Sequence, residues 1–251
     1  MSGNAERFLR RQEHFFTDAD VSHYFWQVQN PVIARTEREL LDGFPIGPGG
    51  RMLEVGCGEG ANLFHLLSGD GARPRVLVGV DLYERKLAFA RQQKGVGGVG
   101  FVCGDARFLP FADQAFDSVL CRDVLHHMAD PQSAVRELGR VCKPDGAIWI
   151  IEPNGANPLM RLLAALRPHE RGLLRNSLES LTALTARDLH AVRLELRQPM
   201  PVYRLTLHHR FGFATLGRLR VIDRLVDRWD RLLSVLVPRR WWAYVIISAK
   251  P

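Results

Sequence analysis

The stretch that decides the fold is LEVGCGEG, residues 53–60, which joins a short apolar segment to a helical pattern. Its glycines at positions 56, 58 and 60 permit positive φ angles and let a ligand approach the main chain closely. The N-terminus of the following helix adds N–H groups that have no partner within that helix. Asp81 ends the next apolar segment, where nucleotide-binding βαβ units place a carboxylate against ribose hydroxyls. These features predict a nucleotide-like ligand at this loop.

Short apolar segments alternate with helical patterns along the middle of the chain. The segments predicted as strands are Arg51–Val55, Val76–Val80, Val99–Cys103, Ala115–Cys121 and Ala147–Ile151. Helices are predicted between them at Ala61–Ser68, Tyr83–Lys94 and Pro131–Val141, with a tight turn at Lys143–Gly146. Because buried strands joined through helices form right-handed βαβ units, we predict an α/β fold with a doubly wound, mostly parallel sheet.

The two ends of the chain depart from this alternation. Residues 5–43 have a helical pattern with a break at Asn30-Pro31. Beyond Pro153 the pattern predicts helices over Asn157–Ser180, after a capping box at Thr185–Asp188 and over Leu216–Leu236, and strands around 192–196, 203–207 and 242–249. We divide the chain into an N-terminal helical cap (1–45), a ligand-binding core (46–154), a helical insert (155–182) and a C-terminal part (183–251).

The composition is that of a globular protein, because 46% of the 251 residues are hydrophobic and 24% are charged. There is no apolar run long enough for a membrane span, and charges stand where a signal peptide needs apolar residues, so we expect a cytoplasmic protein. The four cysteines lack the clustered spacing of a disulfide framework or a zinc site, so we expect free thiols and no metal.

The net charge of +7 is concentrated in the C-terminal part of the chain. Residues 151–251 contain 17 Lys and Arg against 8 Asp and Glu. An anionic partner or membrane surface would suit this charge, and so would a solvated arginine face.

Four motifs follow one another in the core: LEVGCGEG, VGVDL, GDARFLPFADQAFDSVLCRDVLHHMADP and LGRVCKPDGAIWIIEPN. In this order and spacing they resemble the class I S-adenosylmethionine-dependent methyltransferases, in particular the small-molecule, type 11-like branch. The resemblance covers about residues 50–154. It implies a Rossmann-like, seven-stranded sheet with N-terminal helices and an insert after the fifth strand that shapes the acceptor pocket. It also implies a transferase for biosynthesis, acting on a hydrophobic metabolite, lipid or natural-product intermediate at oxygen, nitrogen or carbon.

The resemblance assigns the methionine part of S-adenosylmethionine to Glu54, Gly56, Cys57, Gly58 and Gly60, with Cys57 contributing its main chain. The main chain of Arg122 is expected to approach the same region. The charges agree with this cofactor, because its net charge is positive and Glu54 suits its ammonium group. Further acidity is expected at the carboxyl ends of later strands from Asp105, Asp117 and Asp123.

The nucleoside part of the cofactor is assigned in the same way. Asp81 is expected to accept hydrogen bonds from both ribose hydroxyls, and Leu82 to pack on the adenine. The resemblance places Asp105 at the adenine amino group and the Ala106 N–H at a ring nitrogen.

Candidates for catalysis follow the fourth strand, in Leu125-His-His-Met128. His126 and His127 could each act as a general base, or could pack against the cofactor or bond to the backbone. Tyr24, a weaker candidate, and Trp26 could form a lid, or could simply belong to the core. In the insert, His169, Glu170 and Arg171 accompany a leucine-rich face that suggests an apolar acceptor.

Several alternatives remain open at this point. An RNA or DNA methyltransferase would explain the basic charge, but the Asn-Pro-Pro-Tyr type segment of such enzymes is replaced here by Arg122-Asp-Val-Leu-His126. A nicotinamide-dependent oxidoreductase would explain the GxGxxA pattern of residues 56–61, although Glu54 and Glu59 would repel a pyrophosphate. A non-enzymatic scaffold is a third reading. For the amphipathic helix over Leu219–Leu236, docking on the sheet, self-association and peripheral membrane contact are all considered.

Overall fold

The computed structural model describes residues 18–47, 49–69, 73–210 and 212–251. In these ranges a seven-stranded sheet has the order β3-β2-β1-β4-β5-β7-β6. Its strands are β1 (Arg51–Val55), β2 (Val76–Asp81), β3 (Gly100–Cys103), β4 (Phe116–Arg122), β5 (Cys142–Pro153), β6 (His190–Arg197) and β7 (Tyr244–Lys250). Strands β1 to β5 pair in parallel, and β7 is antiparallel to both β5 and β6. The predicted α/β fold, Rossmann-like, doubly wound and mostly parallel, is confirmed.

Nine α-helices flank the sheet within the described ranges. They are α1 (Val21–Gln29), α2 (Pro31–Leu41), α3 (Ala61–Leu67), α4 (Glu84–Arg91), α5 (Pro131–Val141), α6 (Pro158–Leu166), α7 (Leu178–Thr185), α8 (Tyr203–Thr206) and α9 (Arg220–Leu236). Short 3₁₀ segments occur at Lys94–Val96, Leu125–His127, Pro168–Arg175, Ala214–Arg218 and Arg239–Trp241. Three helices begin with proline directly after a capping Asn30, Asp130 or Asn157, because proline suits the first helical position.

The core forms on both faces of the sheet, since alternate strand residues point to opposite sides. Leu53 and Val119 belong to one buried cluster, and Met52 and Leu120 to the other. A third cluster joins Trp26 of α1 to residues of α2, α8 and α9. The N-terminal helices and α9 therefore pack on each other beside the sheet.

The structure corrects four details of the predicted elements. Residues 203–207 form the short helix α8 and not a strand, because Tyr203 and Leu207, four residues apart, both face the third cluster. Lys143–Gly146 lies within β5, and the register of β5 with β4 shifts over these residues, between the pairs Phe116–Cys142 and Ser118–Ala147. The helix predicted over Asn157–Ser180 is divided into α6, a 3₁₀ segment and the start of α7. The predicted capping box at Thr185–Asp188 is wrong, because α7 ends at Thr185. A capping box is instead formed by Ser177 and Ser180 at the start of α7.

Other predictions agree or fall outside the described ranges. The break at Asn30-Pro31 separates α1 from α2, and residues 5–17 lie outside the described part. Cys57, Cys121 and Cys142 are buried free thiols, and Cys103 is an exposed one. In the described part of the chain, no helix combines the length and apolar character needed to cross a membrane.

Candidate active site

A cavity of about 390 Å³ opens at the carboxyl ends of β1, β2 and β4. Open α/β sheets bind ligands at this edge. One side of the cavity is formed by the glycine loop and by Asp81, and the opposite side by Arg122, Asp123, His126 and His127. Asp117 does not belong to this edge, because it is the second residue of β4 and bonds Arg51 N at 2.8 Å. Its predicted place at the carboxyl end of the strand is therefore wrong.

The glycine loop needs glycine for two different reasons. Gly56 has φ +74, and a Cβ there would lie 2.1 Å from Val124 Cγ2. Gly58 has φ +51, and the nearest atom to a Cβ there would be Lys86 Nζ at 3.9 Å, so the added group would project into the cavity. Gly58 thus leaves a cradle where a ligand can approach the main chain. Gly60, with φ +83, caps α3 and does not line the cavity.

The main chain of the loop is largely occupied by the protein itself. The N–H groups of Gly56 and Cys57 both donate to Val80 O, at 2.8 and 3.0 Å. The predicted main-chain contribution of Cys57 cannot therefore come from its N–H group. Burial also raises the pKa of the Cys57 thiol well above its usual value, so the side chain stays neutral.

Asp81 is held with its carboxylate at the cavity. Oδ2 accepts from Gly58 N at 2.8 Å and Oδ1 from Tyr83 N at 3.0 Å. Each carboxylate oxygen keeps a further lone pair for a ligand hydroxyl. Leu82, about half exposed, and Ala106 also line the cavity. Asp81 and Leu82 therefore line the cavity, and their contacts with ribose and adenine stay predictions.

Asp105 lines the cavity too, but it is already paired. Its Oδ1 accepts from Arg107 N at 2.9 Å, and both of its oxygens accept from the Arg107 guanidinium. Burial opposes the charge, yet Arg107 holds the pKa of Asp105 below its usual value. An adenine amino group would share this carboxylate with Arg107.

Glu54 lies beneath the loop and not in the cavity wall. It is fully buried, its Oε1 accepts from Asn62 Nδ2 at 2.6 Å, and its Oε2 has no partner in the structure. Burial raises its pKa to about 8, so at neutral pH the group carries a proton. Asn62 lies between Glu54 and the cavity, so a ligand ammonium in the cavity would interact electrostatically with Glu54 across the Asn62 side chain.

A buried ion network forms the floor of the cavity. The Arg122 guanidinium pairs with Glu37 of α2 and donates to Asn62 Oδ1 at 2.9 Å. Arg204 of α8 pairs with the other oxygen of Glu37 at 2.5 Å. Burial would raise the pKa of Glu37, but the two arginines lower it to about 2. Arg122 thus reaches the site through its side chain, and not only through the main chain as predicted.

His126 is clamped between two carboxylates. Its Nδ1 lies 2.7 Å from Glu152 Oε2 and its Nε2 lies 3.3 Å from Glu170 Oε2. Glu152 is itself fixed by Val124 N, Leu125 N and Asn176 Nδ2. Burial opposes the charged ring, but Glu152 and Glu170 overcome burial and raise the pKa to about 10. His126 is therefore an imidazolium at neutral pH and has no lone pair with which to accept a proton.

His127 lies beside it with the opposite character. Burial and the neighbouring charge of His126 lower its pKa to about 3, so this ring is neutral. One ligand atom each from His126, His127 and Glu170 lies within 4.8 Å of the others, a separation at which a metal ion could bind. The absence of a metal remains a prediction.

The remaining walls come from the N-terminal helices and the insert. Trp26 lines the cavity, whereas Tyr24 is buried against Phe25 and Phe89 and does not. The predicted role of Tyr24 in catalysis or in a lid therefore has no support from its position. From the insert, the lining residues are Met160, Leu163, Arg167, Glu170 and Leu173, without His169 or Arg171. The insert reaches the site because Gly172 has no side chain, where a Cβ would lie 1.7 Å from His126 O.

Four side chains of the site had no role in the sequence analysis: Glu37, Asn62, Glu152 and Arg204. Glu37 stands on the apolar face of the amphipathic helix α2, and a charge at such a position indicates a buried partner. Glu152 is the last residue but one of β5, at the edge where ligands bind. No local signal marks Arg204.

S-adenosylmethionine fits this set of residues. The Gly58 cradle leaves room at the main chain, and Asp81 offers acceptors for two hydroxyls. A ligand ammonium beside Asn62 would lower the raised pKa of Glu54, whose Oε2 has no partner, and so favour its charged form. A pyrophosphate would instead meet Glu59 and Asp81 at the same loop.

Comparison with known proteins agrees with the geometry. Residues 53–150 match the family model described as "Methyltransferase domain". The chain is 36% identical over 105 residues to an uncharacterized methyltransferase of Bacillus subtilis, covering 41% of this chain and 40% of the relative. It is 38% identical over 98 residues to a fatty-acid O-methyltransferase of Mycolicibacterium smegmatis, covering 39% of this chain and 35% of the relative. The chain thus spans less than half the length of these curated relatives.

A solved structure extends the comparison to the fold. A Haemonchus contortus phosphoethanolamine N-methyltransferase, in complex with phosphomonomethylethanolamine and S-adenosylhomocysteine, has a TM-score of 0.64 at 22% identity. The similarity covers 97% of this chain and 59% of that one. The fold and the matched motifs define residues 53–150 as a class I methyltransferase domain. The predicted class, with its type 11-like branch, is confirmed for this domain, and S-adenosylmethionine is the cofactor of that class.

Proposed function

We propose that this chain transfers a methyl group from S-adenosylmethionine to a small, hydrophobic acceptor. The observation that carries the proposal is the single cavity in which Asp81 and the Gly58 cradle face the apolar residues of the insert. Cofactor and acceptor would therefore share one cavity. When bound, the cofactor supplies an activated methyl group on a positively charged sulfur.

The residues proposed to hold the cofactor follow from their positions. Asp81 accepts hydrogen bonds from the ribose, Leu82 packs on the adenine, and Asp105 with Ala106 receives its polar edge. The glycine loop admits the methionine part, with Asn62 and Glu54 on its cationic side. These groups fix the reactants in one orientation, which can supply on the order of 7–11 kcal/mol of the barrier for such a transfer.

The acceptor end of the cavity is proposed to bind an apolar body. Trp26, Met160, Leu163 and Leu173 give it an apolar wall. Excluding water here removes the hydration shell of the acceptor and strengthens every charge interaction in the cavity. A hydrophobic metabolite, lipid or natural-product intermediate would suit this wall. The similar fatty-acid O-methyltransferase is named for an acceptor of the same chemical class.

The histidines limit the kind of acceptor atom. General-base catalysis works best with a pKa near the working pH. The pKa of His126 is about 10 and that of His127 about 3, so neither ring is matched to neutral pH. We therefore favour an acceptor that is already unprotonated at neutral pH, such as a carboxylate, over a weakly acidic hydroxyl. His126 then contributes a fixed positive charge, and His127 the neutral ring that could accept a hydrogen bond.

Isotope transfer tests the proposal. The protein is incubated with S-adenosylmethionine carrying a labelled methyl group and with a panel of acceptors: long-chain fatty acids, aliphatic alcohols, amines and transfer RNA. The expected result is label in the fatty acids, abolished by boiling the protein and reduced at least a hundredfold in Asp81→Ala. Label in the RNA alone, or in none of the acceptors, would contradict it.

A further inference from the structure

Helix α9 exposes a continuous apolar strip. The side chains of Val221, Leu225, Trp229, Leu232, Val235 and Leu236 are each between 49% and 83% exposed. Successive residues of a helix are 100° apart, so these six share an arc of about 120°. No residue of the helix is buried. A soluble surface rarely leaves an apolar area of this size uncovered without a partner.

The opposite side of α9 is already used by the protein. Ile222 and Val226 pack against the third core cluster, which contains Trp26. Asp223 pairs with Arg35 of α2 at 2.9 Å. Docking on the body of the protein therefore explains this inner side but does not cover the exposed strip.

The charges of α9 are segregated around its axis. Arg220 and Arg224 fall on one flank of the apolar strip and Arg228 falls within its arc, whereas the helical spacing places the three aspartates beyond that flank. One of them, Asp227, forms an ion pair with Arg231 at the exposed surface. Arg220, Arg224 and Arg228 therefore place positive charge along one flank of the strip.

The segment after α9 extends the same character. Arg240 lies over the ring of Trp241, with 5.2 Å from its guanidinium carbon to the ring centroid, and Trp241 is 40% exposed. Arg239 stacks in the same way on Trp242. Tryptophan beside arginine is the composition that favours the interface between water and lipid headgroups.

We propose that the exposed face of α9 docks on an anionic membrane surface, with the apolar strip among the acyl chains and the arginines on the lipid phosphates. Charge complementarity decides in favour of an anionic lipid surface over a second copy of this chain, whose matching face carries the same positive charge. The inference is independent of the proposed methyl transfer. Because Trp26 lies both under α9 and in the cavity wall, docking would bring the cavity close to the lipid.

Vesicle sedimentation tests the docking. Wild-type protein is mixed with vesicles of equimolar phosphatidylglycerol and phosphatidylcholine, or of phosphatidylcholine alone. We expect binding to the anionic vesicles, reduced at least tenfold in the double variant Leu225→Gln/Leu232→Gln. In Arg224→Gln/Arg228→Gln the affinity for anionic vesicles is expected to be about 30-fold lower than in the wild type at low salt. In high salt this difference between variant and wild type should disappear, because the attraction to lipid is screened in both. Leu194→Gln, an exposed leucine on β6, is the matched control and should bind like the wild type.

Fluorescence locates the contact without depending on the double variants. Tryptophan emission is expected to shift to shorter wavelength on anionic vesicles, and the shift should be smaller in Trp229→Phe, in which the exposed Trp241 still reports from the same segment. Absence of wild-type binding to anionic vesicles would overturn the proposal, as would equal binding by Leu225→Gln/Leu232→Gln. A dimer in sedimentation velocity that these leucine substitutions dissociate, with no vesicle binding, would assign the strip to self-association and would also overturn it.

Discussion

Glu37 keeps its negative charge at a position that is 1% exposed, because Arg122 and Arg204 approach it from two sides. Removing one member of a buried ion pair leaves the others without compensation, which costs far more than the net contribution of the pair. The same principle governs His126, whose charge exists only because Glu152 and Glu170 surround it. At the scale of single residues, the site is held by charges that are stable only together.

Glu37→Ala is expected to lower the free energy of unfolding by about 3–5 kcal/mol, because it leaves two arginines buried without their partner. The matched control is Glu39→Ala on the same helix, where the ion pair with Arg35 is partly exposed. The control should cost about 0–1 kcal/mol. Urea denaturation measures the free energy of unfolding of both variants. Equal losses in the two variants would show that the buried Glu37 network contributes no more to stability than the partly exposed ion pair of Glu39.

The charge of His126 predicts a dependence of stability on pH. Its pKa is about 10 in the folded protein and about 6.5 in the unfolded chain. The stabilisation is therefore complete below pH 6.5 and is lost as the pH rises through 10. The difference in unfolding free energy between wild type and His126→Gln should shrink steadily from pH 6.5 to 10. A constant difference for His126→Gln would contradict the charge assigned to it.

At the scale of elements, the glycine loop divides its two tasks between neighbouring positions. Gly56 makes room for Val124 and so joins β1 to the segment after β4. Gly58 makes room for a ligand. The LEVGCGEG motif predicted the loop and its ligand together, because glycine spacing after a buried strand is a local signal. It did not distinguish the two tasks, since the position of Val124 depends on the fold.

Gly58→Ala is expected to weaken S-adenosylhomocysteine binding at least tenfold, because the added methyl group enters the cradle. Its cost in folding is that of a positive φ, about 1–2 kcal/mol. Gly98→Ala carries the same strain at φ +88 with nothing within 4 Å, so it is the matched control and should bind normally. Calorimetric titration of both variants makes the comparison. Undiminished binding in Gly58→Ala would mean that the ligand does not approach the loop there.

The other elements show how far local patterns reach. Apolar strands between helices gave the parallel core, because burial on both faces imposes continuous apolar runs. Residues 203–207 were assigned wrongly, since apolar residues at 203, 205 and 207 satisfy a strand, while 203 and 207 also satisfy one helical turn.

The Glu37 network could not be predicted from the sequence for a different reason. Its arginines lie 85 and 167 residues away along the chain, and only the fold brings them together.

For the whole molecule, the sheet edge, the N-terminal helices and the insert enclose one cavity between them. The sheet supplies the cofactor side from residues that the motifs predict. The acceptor side comes from α1, α8 and the insert. Helical patterns predicted α1 and the insert without their contacts, and α8 was predicted as a strand. The class of the domain was therefore predictable, whereas the walls that select an acceptor required the structure.

Calorimetric titration with S-adenosylhomocysteine tests most directly whether Asp81 binds the cofactor's ribose. We expect saturable binding to one site in the wild type and affinity lowered at least a hundredfold in Asp81→Ala, since hydrogen bonds to a charged group contribute about 1.5–3 kcal/mol each. Asp117→Ala, at the opposite edge of the sheet, should bind like the wild type. Unchanged affinity in Asp81→Ala, or no binding by the wild-type protein, would show that Asp81 does not hold this ligand.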